Sequence, residues 1–199
     1  YSTWLVKRLR AGYCHIANPY NKQVFEVSLK PEDCIVLVFW TRNPTPLLPY
    51  LDFHYTLLGY PRLLEPYNPA FEAAINTFKR LSERVSPERV RWRYDPIVFS
   101  TATPPAYHLR QFERIACQLE GYTHHCTFSF TSFYGKTKRN LGAVAKAADI
   151  TFQEPALPEQ QALVRELVQI GSAHHIGLHT CCGDALAIDG VQKSRCVCL

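Results

Sequence analysis

Short apolar runs alternate along the chain with longer runs in which apolar residues recur every three or four positions. The first pattern is typical of β-strands and the second of amphipathic helices. One run, Cys34 to Trp40, is continuously apolar, as expected of a strand covered on both faces in a parallel sheet. The other predicted strands are Phe53 to Leu58, Val90 to Tyr94, Cys126 to Phe130 and Ile176 to Thr180, with Asp149 to Phe152 as a short extra strand.

Helices are predicted around these strands. In residues 69–85 the apolar side chains fall on one stripe, with Asn68 as the N-cap and Pro69 at the first helical position. Further helices are predicted at residues 3–9, 107–119 and 158–171. Single helices between successive strands indicate repeated βα units, which right-handed crossovers wind into a parallel sheet. We therefore expect an α/β fold whose mainly parallel sheet forms a partial or complete TIM-like barrel with outer helices.

The chain is long enough to form a single domain. It has 199 residues, of which 47% are hydrophobic, and no low-complexity segment or linker divides it. Residues 1–199 are therefore expected to form one barrel-like domain. The sequence contains no Met, and the step from Cys34 to Phe53 is too short for a usual crossover helix. Both features indicate that residues of the parent protein are missing from this sequence.

Charge and hydropathy narrow the expected partners. The formal net charge is +5, which permits an anionic ligand. The basic residues are scattered among carboxylates, which argues against nucleic acid as the partner. No run approaches the ~18 apolar residues of a membrane span, and residues 1–10 lack the apolar centre of a signal peptide. We expect a cytoplasmic protein that acts on a small-molecule or anionic substrate without entering a membrane.

Polar residues follow the predicted strands, at the positions where βα proteins carry their functional groups. Arg93 and Asp95 alternate with aromatic residues on one strand, so both point to the same face. There Arg93 either holds a carboxylate or phosphate or forms a structural ion pair with Asp95. With Lys136, in the basic stretch after the fourth strand, they are the catalytic candidates. The candidates for substrate or cofactor binding are Thr41, Arg42, Asn43 and Thr56.

The basic stretch from Gly135 to Arg139 lacks the upstream glycine of a phosphate-binding P-loop. It is interpreted either as a basic turn that contacts an anionic ligand or as a solvated helix start. The histidine pairs at residues 124–125 and 174–175 are interpreted as loop residues at strand entrances. Neither feature assigns a reaction.

Cysteine and histidine residues cluster near the end of the chain. Thiolates suit zinc or an iron–sulfur cluster, but no C-x-x-C pair occurs. Adjacent cysteines on a strand point to opposite faces, so only one of such a pair easily serves a given site. Reduced thiols without a metal are the alternative. The candidate metal ligands are Cys181, Cys182, Cys196 and Cys198.

Five ordered motifs together resemble a bacterial and archaeal family known as domain of unknown function 1848. They are WTRNP at residues 40–44, YTLLGY at 55–60, WRYDPIV at 92–98, FYGKTKRN at 133–140 and TCCGD at 180–184. Members of this family carry a strand with an S-R-R-T-D-I-P-like segment before the part that matches this chain. They end in a cysteine cluster similar to that of radical S-adenosylmethionine proteins. By this resemblance the chain lacks its first strand and its C-terminal cysteine segment.

The resemblance implies an iron–sulfur enzyme, with S-adenosylmethionine as a further cofactor, whose cluster ligands lie mostly outside this chain. A non-radical binding protein or a zinc enzyme with a site at the barrel mouth is the second hypothesis. A role in nucleic-acid modification or repair is the third, because the basic stretch at residues 136–139 offers phosphate contacts.

The cysteine pattern leads to a testable prediction. The chain has eight cysteines, several of them in core-like runs, and its cysteine content lies below the ~8–10% typical of disulfide scaffolds. We expect no intrachain disulfide. Titration of unreduced protein, purified without oxygen and then denatured, should therefore detect all eight thiols. A smaller number would contradict the prediction.

Overall fold

The computed structural model describes residues 2–33, 53–181 and 184–194. Several sequence predictions lie outside these residues. They are the strand Cys34 to Trp40, the binding candidates Thr41, Arg42 and Asn43, and the thiols Cys182, Cys196 and Cys198.

Helices and strands alternate through most of the described chain. The helices are α1 (Ser2–Ala11), α2 (Phe71–Val85), α3 (Pro105–Leu119), α4 (Gly135–Ala148) and α5 (Leu157–Ala173). The strands are β1 (Tyr13–Ala17), β2 (Val24–Ser28), β3 (Phe53–Thr56), β4 (Val90–Ile97), β5 (Phe99–Ser100), β6 (His125–Phe130), β7 (Phe152–Gln153), β8 (Gly177–Cys181) and β9 (Val191–Ser194). Of the helices in these ranges, none combines the length and apolar character needed to span a membrane.

The main sheet has five strands in the order β3-β4-β6-β8-β9, and all neighbours are parallel. Four of these strands are predicted from the apolar runs. The fifth, β9, has the sequence VQKS and lacks the apolar run that the prediction relies on. An α/β fold with a mostly parallel sheet and helices around it is therefore confirmed.

Two smaller antiparallel sheets lie outside the main one. The hairpin of β1 and β2 is mostly exposed and carries no strand prediction. The predicted strand Asp149 to Phe152 was placed wrongly, because β7 begins at Phe152 and pairs antiparallel with β5 rather than joining the parallel sheet. Asp149 instead adopts a left-handed backbone conformation, with φ at 52°, and ends α4.

Helix periodicity locates the helix bodies better than their ends. The helices predicted at 3–9, 107–119 and 158–171 are confirmed, and the structure extends each of them. The predicted start of α2 was wrong: Ala70, not Asn68, is the N-cap. The carbonyl of Asn68 accepts a hydrogen bond from Arg62, so this residue belongs to the preceding loop. The basic stretch at Gly135 begins a helix, α4, rather than a free turn.

The apolar core lies between one face of the sheet and helices α2, α3 and α5. On β4, Trp92 and Tyr94 are fully buried and pack against Phe112 of α3, with ring centroids 4.6 Å and 5.1 Å away. Phe78 of α2 and Leu167 of α5 are also fully buried. Burying a side chain of this size contributes about 1.5–3 kcal/mol, so this face supplies much of the stability of the fold.

The opposite face of the sheet is polar. Because successive strand residues point to opposite faces, the neighbours of the core residues share this second face. We call it the inner polar face, and its members on β3, β4, β6 and β8 are His54, Thr56, Arg91, Arg93, Asp95, His125, Thr127, Ser129, His179 and Cys181.

One histidine lies inside the core rather than on the inner polar face. His108 of α3 is fully buried, with Nε2 3.0 Å from the carbonyl oxygen of Val98 and Nδ1 3.1 Å from the hydroxyl of Tyr94. The carbonyl accepts only, so Nε2–H donates to it and Nδ1 accepts from the tyrosine hydroxyl. Burial lowers the pKa of His108 to about 4, with the backbone hydrogen bonds acting weakly in the other direction.

The buried neutral His108 should make stability pH-dependent. In the unfolded chain an imidazole takes up a proton near its ordinary pKa of about 6.5, whereas in the folded protein His108 is protonated only near pH 4. Stability should therefore fall as pH drops below about 6.5, by about 2 kcal/mol from this residue between pH 7 and 5. Urea unfolding at both pH values should show that the free energy of unfolding falls less between pH 7 and 5 for His108→Gln than for wild type. An equal loss would contradict the prediction, and His15→Gln in the exposed hairpin is the control.

Candidate functional site

A cluster of polar side chains occupies the carboxyl ends of β4, β6 and β8 on the inner polar face. Arg93 Nη2 donates a hydrogen bond to Asp95 Oδ2 and lies 3.6 Å from the sulfur of Cys181. Ser129 Oγ donates to the other oxygen of the same carboxylate, Asp95 Oδ1. We call Arg93, Asp95, Ser129 and Cys181 the strand-end cluster. Three strands therefore place a cation, a carboxylate, a hydroxyl and a thiol in one location.

The ion pair of this cluster is largely removed from water. The side chains of Arg93 and Asp95 are 9% and 14% exposed. Burial alone would lower the pKa of Arg93, but the hydrogen bond and charge of Asp95, with a further contribution from Cys181, raise it above its ordinary value. The guanidinium therefore remains charged, and its fixed orientation allows it to hold a planar acidic group.

The loop after β3 fixes the backbone next to this cluster. The hydroxyl of Tyr60 donates to the carbonyl of Pro96, at 2.9 Å, and accepts from the N–H of Val98, at 2.8 Å. Gly59 has φ at +65°, and its carbonyl accepts hydrogen bonds from Tyr107 and Gln111 of α3. The motifs YTLLGY and WRYDPIV, distant in sequence, therefore meet at the exit of β4. This contact anchors the segment that follows Asp95.

A pair of histidines lies on the same face, with His125 at the amino end of β6 and His179 in the middle of β8. Nδ1 of His125 is 3.0 Å from Nε2 of His179. Burial lowers the pKa of both imidazoles, and the positive charge of Arg91 lowers both further. The prediction that His125 belongs to a loop was wrong, because it is the first residue of β6. The alternation of side chains along β6 is the signal that places it on this face.

The remaining predicted site residues do not join the strand-end cluster. Thr56 pairs with Arg93 in the strand register, but its side chain is exposed. Lys136 is exposed in the first turn of α4 and makes no hydrogen bond or ion pair within the described part of the chain. A cavity of about 590 Å³ lies beside β3 and is lined by Thr56, Gly59 and Arg62 among others, without any cluster residue. The cluster chemistry, not the cavity size, therefore identifies the candidate site.

A metal site is not formed by the described residues alone. Residues 2–33, 53–181 and 184–194 contain no group of three or more His, Cys, Asp or Glu side chains arranged to hold a metal ion. Of the predicted ligands only Cys181 is described, and its sulfur lies beside the guanidinium of Arg93. The described residues therefore do not fit a zinc ion or an iron–sulfur cluster without ligands from elsewhere.

Fold and site together define a class: a parallel α/β protein with a buried ion pair, a hydroxyl and a thiol at the carboxyl edge of its sheet. The family model described as Domain of unknown function (DUF1848) matches residues 1–199, so the chain belongs to this family. The resemblance inferred from the five sequence motifs is thereby confirmed. Searches of curated proteins and of solved structures found no match.

The buried ion pair yields a prediction about stability. Removing one partner leaves the other charge buried without a counter-charge, which costs about 3–5 kcal/mol. Asp95→Asn should lower the free energy of unfolding by an amount of this order. The double variant Arg93→Met with Asp95→Leu should lose less unfolding free energy than Asp95→Asn, because no uncompensated charge remains. Denaturant unfolding of the three proteins measures the difference.

The exposed ion pair between Arg114 and Glu72 provides a matched control. Its side chains are 53% and 68% exposed, so Glu72→Gln should cost less than about 1 kcal/mol. A cost for Asp95→Asn as small as this control would show that the Arg93–Asp95 pair is not the buried, coupled pair described above.

Proposed function

We propose that this protein is an enzyme that binds a small acidic substrate at the strand-end cluster. The observation that carries the proposal is the buried Arg93–Asp95 pair, set at the carboxyl edge of a parallel sheet with Ser129 and Cys181 in the same location. Catalytic residues of parallel α/β proteins lie at this edge. A hydroxyl and a thiol next to a fixed cation are groups that enzymes use on acidic substrates.

The hydrogen bonds of Arg93 support a binding role. A guanidinium has five N–H donors, and the contacts of Arg93 with described residues involve Nη2 alone. No described residue accepts a hydrogen bond from Nη1 or Nε, and in the proposed site these donors bind a carboxylate or phosphate group of the substrate. Asp95 orients the guanidinium, and Ser129 in turn orients Asp95. Cys181, at the edge of the cluster, is the candidate for direct contact with the reacting part of the substrate.

A ligand screen tests this role of Arg93. We expect calorimetry with a panel of small mono- and dicarboxylates to find at least one ligand whose affinity falls about tenfold or more in Arg93→Lys. Lysine keeps the charge but loses the bidentate geometry. Arg114→Lys, in the exposed pair with Glu72, is the matched control and should leave the affinity unchanged.

Two outcomes of this screen would overturn the proposed function. The first is that no carboxylate of the panel binds to the wild-type protein. The second is that Arg93→Lys binds the best ligand as tightly as wild type does. The unfolding free energy of Arg93→Lys, measured in parallel, shows whether a loss of affinity reflects a loss of fold.

We further propose, from the family resemblance, that the sheet is part of a TIM-like barrel and that the parent protein carries an iron–sulfur cluster. The position of Cys181 at the carboxyl edge, directly before Cys182, supports a cluster near the mouth of such a barrel. The ligands would be Cys182, Cys196, Cys198 or thiols of the parent protein, and Cys181 would remain beside Arg93. S-adenosylmethionine as a further cofactor rests on the resemblance alone.

Metal analysis of the full-length protein tests the cofactor proposal. Protein purified without oxygen should contain iron and acid-labile sulfide in similar molar amounts, and the Cys182→Ala variant should contain less of both. Zinc without sulfide would instead favour the second hypothesis, a zinc enzyme. The finding of neither iron nor zinc in the full-length protein would contradict both the iron–sulfur enzyme and the zinc enzyme.

A further inference from the structure

Arg91 lies on the inner polar face, and no carboxylate of the described residues pairs with it. Trp92 of β4 pairs with Cys126 of β6, so the preceding residues, Arg91 and His125, lie side by side on the other face of the sheet. Asp95 is paired with Arg93 at the opposite end of β4. Glu88, in the turn before β4, contacts His124 at 3.7 Å. Within the described residues Arg91 has no hydrogen bond or ion pair, and it is only partly exposed.

The two histidines beside Arg91 offer a further hydrogen-bond donor. The rings of His125 and His179 are 5.0 Å apart, and one N–H is shared between Nδ1 of the first and Nε2 of the second. A neutral imidazole carries one N–H and one acceptor nitrogen. Whichever ring donates within the pair, the other ring keeps an N–H on its outer nitrogen. The pair therefore presents one N–H to a ligand in either tautomer.

We propose that Arg91, His125 and His179 form a second anion-binding site on the inner polar face, beside the strand-end cluster. The site would take a small oxyanion, either free or as the phosphate or carboxylate group of a larger ligand. A guanidinium that pairs with none of the described carboxylates and an imidazole N–H are the donors that such a group requires. The site would be centred one step before the strand-end cluster on β4, because Arg91 and Arg93 are two strand residues apart, about 7 Å along β4. His179 is level with Arg93 through Thr127, so the two sites adjoin each other.

The charges around His125 and His179 favour the binding of an anion over that of a cation. Burial lowers the pKa of both imidazoles, and the positive charge of Arg91 acts on both in the same direction. A metal cation between the two rings would be repelled by the same guanidinium. An oxyanion would relieve the excess positive charge and accept hydrogen bonds from the arginine and the imidazole.

Nuclear magnetic resonance of the imidazole nitrogens, with inorganic phosphate as the probe, tests the proposal. In the wild-type protein the resonances of His125 and His179 should shift along one saturable curve as phosphate is added at constant ionic strength. Arg91→Gln should weaken the apparent affinity about tenfold or more. The matched control is Arg84→Gln, which removes the same charge from an exposed position of α2 and should leave the curve unchanged. Repeating the titration with acetate and succinate shows whether the site takes phosphate or carboxylate groups.

Several outcomes would overturn the proposal. The absence of a saturable shift with any of these anions would do so, as would equal affinities in Arg91→Gln and wild type. If Arg91→Gln does not fold, Arg91→Lys replaces it, and a wild-type affinity for that variant overturns the proposal in the same way. Arg93→Lys should leave these histidine shifts unchanged, so failure of the proposed function and failure of this inference give different results.

Discussion

The alternation of side chains along β4 is the constraint on which the rest of the structure depends. Trp92 and Tyr94 point towards the helices and are fully buried, whereas Arg91, Arg93 and Asp95 point to the opposite face. A register shift of one residue would exchange the two sets and place three charged groups in the apolar core. The stacking of Trp92 on Phe112 therefore stabilises the fold and also fixes the orientation of the candidate site.

The exit of β4 depends on a second constraint, the hydrogen bonds of Tyr60. This residue comes from the loop after β3, yet its buried hydroxyl satisfies the backbone of Pro96 and Val98. Trp92 reaches back to the same loop, since its indole N–H donates to the carbonyl of Leu57 at 2.8 Å. These hydrogen bonds thus hold the loop after β3 against β4, the strand that carries Arg93 and Asp95.

Local periodicity was sufficient to predict the main helices and four strands of the sheet, because α2, α3, α5 and the apolar strands each bury a distinct face. It missed β9 and the β1–β2 hairpin, whose short strands are polar or exposed and lack a buried face to mark them. The start of α2 was missed because the position of an N-cap also depends on contacts with residues distant from the helix. Arg62 donates a hydrogen bond to the carbonyl of Asn68, and the helix begins after Ala70.

The candidate site was predictable in part for the same reason. Arg93 and Asp95 are two residues apart on one strand, so alternation alone places them together. Ser129 and Cys181 join them only through the pairing of β4 with β6 and of β6 with β8. The contact between His125 and His179 likewise joins residues 54 positions apart in the chain. Such contacts depend on strand order and register, which a single sequence does not specify.

The polar side chains of the inner polar face lose hydration when they are buried, and apolar packing does not offset this loss. Parallel sheets usually carry branched apolar side chains on both faces, which stabilise them through close packing. Here Arg93, Thr127 and His179 are at least nine-tenths buried on that face, and each requires a polar partner to offset its loss of hydration. The opposite face of the same sheet already carries the apolar core, with Trp92 and Tyr94 fully buried. The polar groups on one face, in order along three neighbouring strands, are the groups that the proposed binding of a polar ligand would use.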